Sequence, residues 1–120
     1  MFPFERLQVF QRSMDYAEAI YEATASFPDF ERYGLRTQLQ RAAASVFSNI
    51  AEGACCETPK AKLKYFQDAY GSLMETVAQL LFCQRRGFVP AATYRQLYAQ
   101  AEEISRMLSG LRRSVRNQNQ

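Results

Sequence analysis

Apolar residues return at alternating steps of three and four along this chain, and that rhythm constrains its fold more than any other feature. Leu7, Phe10, Met14, Ala17, Tyr21 and Thr24 form one series. Leu63, Phe66, Tyr70, Leu73, Val77 and Leu80 form another, and Tyr94, Leu97, Ala101, Ile104, Leu108, Leu111 and Val115 a third. Steps averaging about 3.5 residues keep each series on one helical stripe and favour shallow, left-handed packing. A fourth stripe, Leu35, Leu39, Ala42, Val46, Ile50 and Gly53, lies between the first two.

Turn residues divide these stripes. Phe27-Pro28-Asp29 stops the first helix, and Tyr33-Gly34 turns the chain into the second. Gly53 stands where a left-handed glycine would close the second helix, and Thr58-Pro59 reads as N-cap and first turn of the third. Gly87 closes that helix and Pro90 opens the fourth. The expectation is an all-α, up-down-up-down antiparallel four-helix bundle, left-handed and forming a single domain over residues 1–120. Its helices should span roughly 5–25, 35–53, 59–86 and 91–115, followed by a frayed tail at 116–120. At 120 residues the chain has room for one core.

Not every face is accounted for by that core. Arg41, Ser45, Ser48 and Glu52 fall on a second stripe of the second helix, with Asn49 at its border. Small hydroxyls between an arginine and a glutamate suit close, polar helix contact. Glu52 also sits near a helix C-terminus, where the macrodipole disfavours a carboxylate. On the third helix, Gly71, Met74, Ala78 and Phe82 extend the apolar surface beyond one seam, with Glu75 among them, and Phe47 lies off the stripe of the second. Such surplus predicts self-association, with Arg41, Ser45, Ser48, Asn49, Glu52, Glu75, Phe47, Met74 and Phe82 at an interface or in a buried polar network. The competing reading is a wide core that Met74, Ala78 and Phe82 simply fill.

Several segments resemble one family. Gln38-Leu39, Arg41-Ala42-Ala43, Ser48-Asn49-Ile50-Ala51-Glu52-Gly53, Gly71-Ser72-Leu73, Glu75 and Gln79-Leu80 match it in order and spacing. So do Leu7-Gln8-Val9-Phe10-Gln11 and Phe27-Pro28 through Tyr33-Gly34-Leu35. The chain is similar to the four-helix-bundle proteins encoded by intervening sequences in bacterial large-subunit ribosomal RNA genes. It is more distantly similar to the accessory variability determinant of diversity-generating retroelements. The resemblance covers most of residues 4–111. It implies a homopentameric barrel, and its retroelement branch implies a basic ring that binds nucleic acid and a reverse transcriptase. Phe47 departs from the family pattern, which has proline there; phenylalanine permits an unbroken helical ladder. The Ala54-Cys55-Cys56 loop is a second departure.

Charge points the same way. The net +3 hides a split that can orient the chain on a polyanion or on a copy of itself: residues 1–31 hold two arginines against six carboxylates, a net −4, and the remainder carries +7. Candidate phosphate-binding residues are Lys60, Lys62 and Lys64 opening the third helix, Arg85 and Arg86 closing it, and Arg95, Arg106, Arg113 and Arg116 along the fourth. Arg112 should turn toward the seam. Arginines at a helix C-terminus suit the dipole and need no ligand, whereas lysines at a helix start work against it. Most of the 7 Tyr and 9 Phe fit the seams, so base-stacking platforms are not expected and backbone recognition would be the mode.

Catalysis finds little support. With no histidine the usual neutral-pH base is absent, the five glycines are scattered rather than clustered, and no catalytic residue, metal or cofactor is expected. Glu52 and Glu75 are the one carboxylate pair that antiparallel helices could bring together for a hydrolytic metal. Cys55, Cys56 and Cys83 form no disulfide framework and should be reduced thiols, the exposed pair being open to redox sensing. No apolar run reaches the length of a membrane span and the N-terminus lacks signal-peptide pattern, so the cytoplasm is the expected address. The expectation is a non-enzymatic homo-oligomer that binds structured RNA or duplex DNA. The alternative is a protein-binding or structural scaffold, such as a reverse-transcriptase accessory subunit, with no nucleic-acid role.

Overall fold

The computed structural model describes residues 1–118. These residues form an elongated all-α body of 49 × 23 × 22 Å built from four α-helices: α1 (Gln8–Thr24), α2 (Leu35–Cys55), α3 (Pro59–Arg85) and α4 (Ala91–Gln118). Helices adjacent in sequence pack side by side, and α1 also meets α4. Their pairing runs in opposite directions. Along α2 and α3 the pairs Gln38–Gln79 and Ser45–Ser72 hydrogen-bond at 3.2 and 2.8 Å, and Gly53 lies against Phe66. On the outer flanks, Thr24 meets Gln40 and Arg112 meets Gln67.

The expected first helix, 5–25, is two pieces: a 3-10 turn at Pro3–Arg6, then α1 after an extended Leu7. Its buried stripe also differs from the expected one. Met14 and Tyr21 are exposed, and burial falls on Val9, Phe10, Ser13, Tyr16, Ala17, Ile20 and Thr24. Two polar side chains can occupy that core because the backbone satisfies them: Ser13 Oγ donates to the Val9 carbonyl at 2.7 Å and Thr24 Oγ1 to that of Ile20 at 2.8 Å. Tyr16, fully buried, shares a 2.8 Å hydrogen bond with Thr76 across the core.

Gly53 corrects a second expectation. It does not end the helix; α2 continues to Cys55, and the only positive-φ glycine among the described residues is Gly87. A Cβ at Gly53 would lie 2.6 Å from Phe66 Cε1 and 3.1 Å from Tyr65 Cβ. The residue is glycine because α3 passes too close for anything larger. Gly87, at φ 75°, does close α3: the Phe88 N–H reaches back to the Cys83 carbonyl at 2.9 Å. At the start of α3 the Thr58 hydroxyl accepts from the Ala61 N–H at 3.2 Å, with Pro59 in the first turn, as the sequence indicates.

Helix α2 runs unbroken through Phe47. That side chain is half-buried and meets Phe10 edge-on at 6.3 Å, so it seals the α1–α2 flank instead of forming free apolar surface. Helix α4 continues past Val115 to Gln118, so residues 116–118 are helical rather than frayed; the rest of the expected tail, 119–120, lies outside the described residues.

Candidate nucleic-acid and assembly surfaces

Eight of the nine candidate cations separate into two ends of the body. At about 1.5 Å per residue the 27 residues of α3 are roughly 40 Å long. Lys60, Lys62 and Lys64 sit at its start, beside the end of α4 that carries Arg113 and Arg116. Arg85 and Arg86 lie at the far end, with Arg95 near the start of α4. Arg106 is midway, on the wall of a cleft between α3 and α4. The structure therefore forms no single basic patch within one chain.

The three lysines are not equivalent. Lys60 is exposed and makes no ion pair among the described residues. Lys64 pairs with Asp68 at 3.2 Å and lies over the Tyr65 ring. Lys62 is half-buried, and its Nζ donates to the carbonyls of Ala54 at 3.2 Å and Gly53 at 3.5 Å. It neutralises the open C-terminus of α2, which is a structural task that sequence alone hides. Arg85, Arg86, Arg95, Arg106, Arg113 and Arg116 are exposed. Arg112 turns inward as expected, donating to Gln67 at 2.6 Å and covering the Tyr70 ring at 4.7 Å.

The expected polar network forms only in part. Ser45 joins Ser72, and Asn49 donates to the Ser45 hydroxyl at 3.0 Å and its carbonyl at 2.9 Å. Arg41, Ser48, Glu52 and Glu75 are exposed; Glu75 accepts only a long 3.4 Å contact from Gln79, and Arg41 and Glu52 make no side-chain bond among the described residues. The register set by Ser45–Ser72 puts Glu75 level with Arg41, and Glu52 some ten residues further along, about 15 Å away. Glu52 and Glu75 therefore cannot share a metal within one chain, and the described residues contain no cluster of potential metal ligands.

Part of the exposed apolar surface, Leu81, Phe82 and Tyr98, lies on α3 and its border with α4. Phe82 is 51% exposed on the outer face of α3, with Gly71 and Ala78 also open on that helix. Between α3 and α4 lie two adjoining clefts of about 340 and 440 Å³, lined by Tyr70, Met74, Val77 and Leu81 from one side and by Tyr94, Tyr98, Arg95, Glu102 and Arg106 from the other. Met74, half-buried, is a wall of that cleft and not a central core residue. Among the thiols, Cys55 is exposed, Cys56 donates to the Glu52 carbonyl at 3.3 Å, and burial pushes the Cys83 thiol up to about 11.

At the end of the body away from Lys60, Arg113 and Arg116 are residues whose role the sequence does not disclose. Phe30 and Tyr33 are 74% and 86% exposed in the α1–α2 connection; Phe30 meets Phe88 of the α3–α4 connection, which Arg86 covers, and Tyr33 lies beneath Arg32.

Comparison with known proteins agrees with this architecture. The family model described as 23S rRNA-intervening sequence protein matches residues 5–110. The chain belongs to that family. A crystal structure of a protein of unknown function from the S23 ribosomal protein family of Bacteroides thetaiotaomicron VPI-5482 superimposes with a TM-score of 0.79, over 88% of this chain and 95% of that one. At 18% identity the likeness is one of fold. No match is found among curated proteins. Among the described residues no helix of this intervening-sequence protein is long and apolar enough to cross a membrane.

Proposed function

We propose that this intervening-sequence protein is a non-enzymatic, cytoplasmic homo-oligomer that binds the phosphates of structured RNA or duplex nucleic acid through its basic end. In this reading the chain is a left-handed up-down-up-down bundle, and five copies close into a ring, the number that the family resemblance implies. One observation carries the nucleic-acid part. Lys60 near the start of α3 and Arg113 and Arg116 near the end of α4 are exposed and have no ion pair among the described residues, which leaves their charge to an outside anion. Repetition around a ring would multiply that charge, and each phosphate neutralised adds affinity through counterion release. The RNA insertion encoding such a protein is one candidate partner.

The combined variant Lys60→Ala, Arg113→Ala, Arg116→Ala tests the reading. It should bind duplex RNA more weakly and lower the salt slope of binding by roughly 2–3, at about 0.9 per phosphate contact, with unchanged melting. An unchanged slope removes this end from the account.

The apolar α3–α4 cleft supports a second reading, a structural scaffold that binds protein, such as a reverse-transcriptase accessory subunit. Such a scaffold predicts that the same triple variant keeps every partner interaction.

A further inference from the structure

We infer that the end formed by the α1–α2 and α3–α4 connections is a stacking site for unpaired RNA bases, separate from the phosphate-binding end; this rests on the nucleic-acid reading above. Phe30 and Tyr33 are the most exposed aromatic side chains among the described residues, Tyr33 beneath the Arg32 guanidinium and Phe30 against the ring that Arg86 covers. Arg86 lies over the Phe88 ring at 5.8 Å, Phe88 meets Phe30 edge-on at 6.2 Å, and Arg32 covers Tyr33 at 5.6 Å. Arg85 is exposed at the same end of α3. Open rings beside arginines supply what an unpaired nucleotide needs, a π-face for the base and a cation for its phosphate.

The platform is held in place rather than loose. Phe88 is anchored from below by the buried Phe27, whose ring centroid is 5.6 Å away, and its backbone is fixed by the bond to Cys83 past Gly87. On the other side the Glu31 carboxylate accepts from the Leu35 N–H at 3.0 Å, and the Thr37 hydroxyl donates to the Arg32 carbonyl at 2.6 Å. Glu31 is thereby occupied in starting α2, so Asp29 is the exposed carboxylate of this connection, against Arg32, Arg85 and Arg86. A second protein would prefer a continuous apolar patch. Here the guanidinium groups alternate with the rings, and a polyanion fits that pattern better.

The chain has no tryptophan, so Tyr33→Trp places a single indole in the platform. Its emission should be quenched, saturably, by a 12-nucleotide oligoadenylate RNA and much less by a 12-base-pair RNA duplex. Phe30→Ala with Tyr33→Ala should weaken oligoadenylate binding by about tenfold, a loss expected when base stacking is removed, and leave duplex binding unchanged. If labelled duplex binds but oligoadenylate neither quenches the indole nor depends on these rings, the stacking site is wrong and the phosphate-binding reading survives. Failure of both RNAs to bind at low salt overturns both. An emission change that follows protein concentration without RNA assigns this end to contact between copies and overturns the proposal.

Discussion

The two seams of α3 are built on opposite principles. Toward α2 it presents small side chains, buried Ala69 and Ser72 meeting Ser45, and where it presents the large Phe66 ring α2 answers with Gly53. Toward α4 it presents Tyr70, Met74, Val77 and Leu81, which face Tyr94 and Tyr98 and leave clefts of about 340 and 440 Å³. Small residues let helix backbones approach, and large ones hold them apart. The close seam is filled within the chain, and the open one leaves apolar side chains uncovered beside Arg95, Glu102 and Arg106.

Substitutions should separate the two. The largest effect is expected at Gly53→Ala, which sets a methyl against the Phe66 ring. Overpacking should outweigh the gain in helix propensity and cost about 2 kcal/mol in denaturant unfolding. Gly71, with nothing within 4 Å of its would-be Cβ, is the control: Gly71→Ala should stabilise by up to about 1 kcal/mol. Equal signs at the two glycines would break the comparison. Next comes Ser45→Ala, which leaves Ser72 and Asn49 without their shared hydroxyl and should cost about 1 kcal/mol. In the open seam, Leu81→Ser should change stability by less than about 1 kcal/mol yet reduce the oligomer mass; unchanged mass would detach the cleft from assembly.

Alkaline titration probes the core that the seams enclose. Burial raises the Tyr16 hydroxyl from 10.0 to about 12 and the Cys83 thiol from 9.0 to about 11. Each raised value favours the neutral form in the folded chain, so the contribution is complete below the unfolded value and is lost as pH rises through the folded one. Stability should fall from about pH 9 and continue to fall to about pH 12, and Tyr16→Phe should make the decline shallower above pH 10.

The helices were legible because the spacing of apolar residues follows directly from helix geometry, and so were Thr58, Pro59 and Gly87, whose local chemistry has one common use at a helix end. Gly53 departs from the expected helix stop because glycine serves both a helix end and a close approach, and only the path of α3 decides between them. Met14 and Tyr21 were placed inside because a three-and-four template also fits the stripe beside the true one; the buried Ser13 and Tyr16 concealed the latter. The candidate surfaces were less accessible. Basic residues can be counted in a sequence, but Lys62 is set apart from Lys60 only by the carbonyls it reaches. Phe30 and Tyr33 resemble core aromatics until their exposure is seen.

The most direct test of the central claim is duplex-RNA binding by fluorescence anisotropy across a salt series, with light scattering on the same samples. The account predicts one oligomeric species, a pentamer by mass, that binds in the submicromolar range at low salt and loses affinity steeply as salt rises. An oligomer indifferent to RNA at low salt would contradict it and leave a protein scaffold as the function.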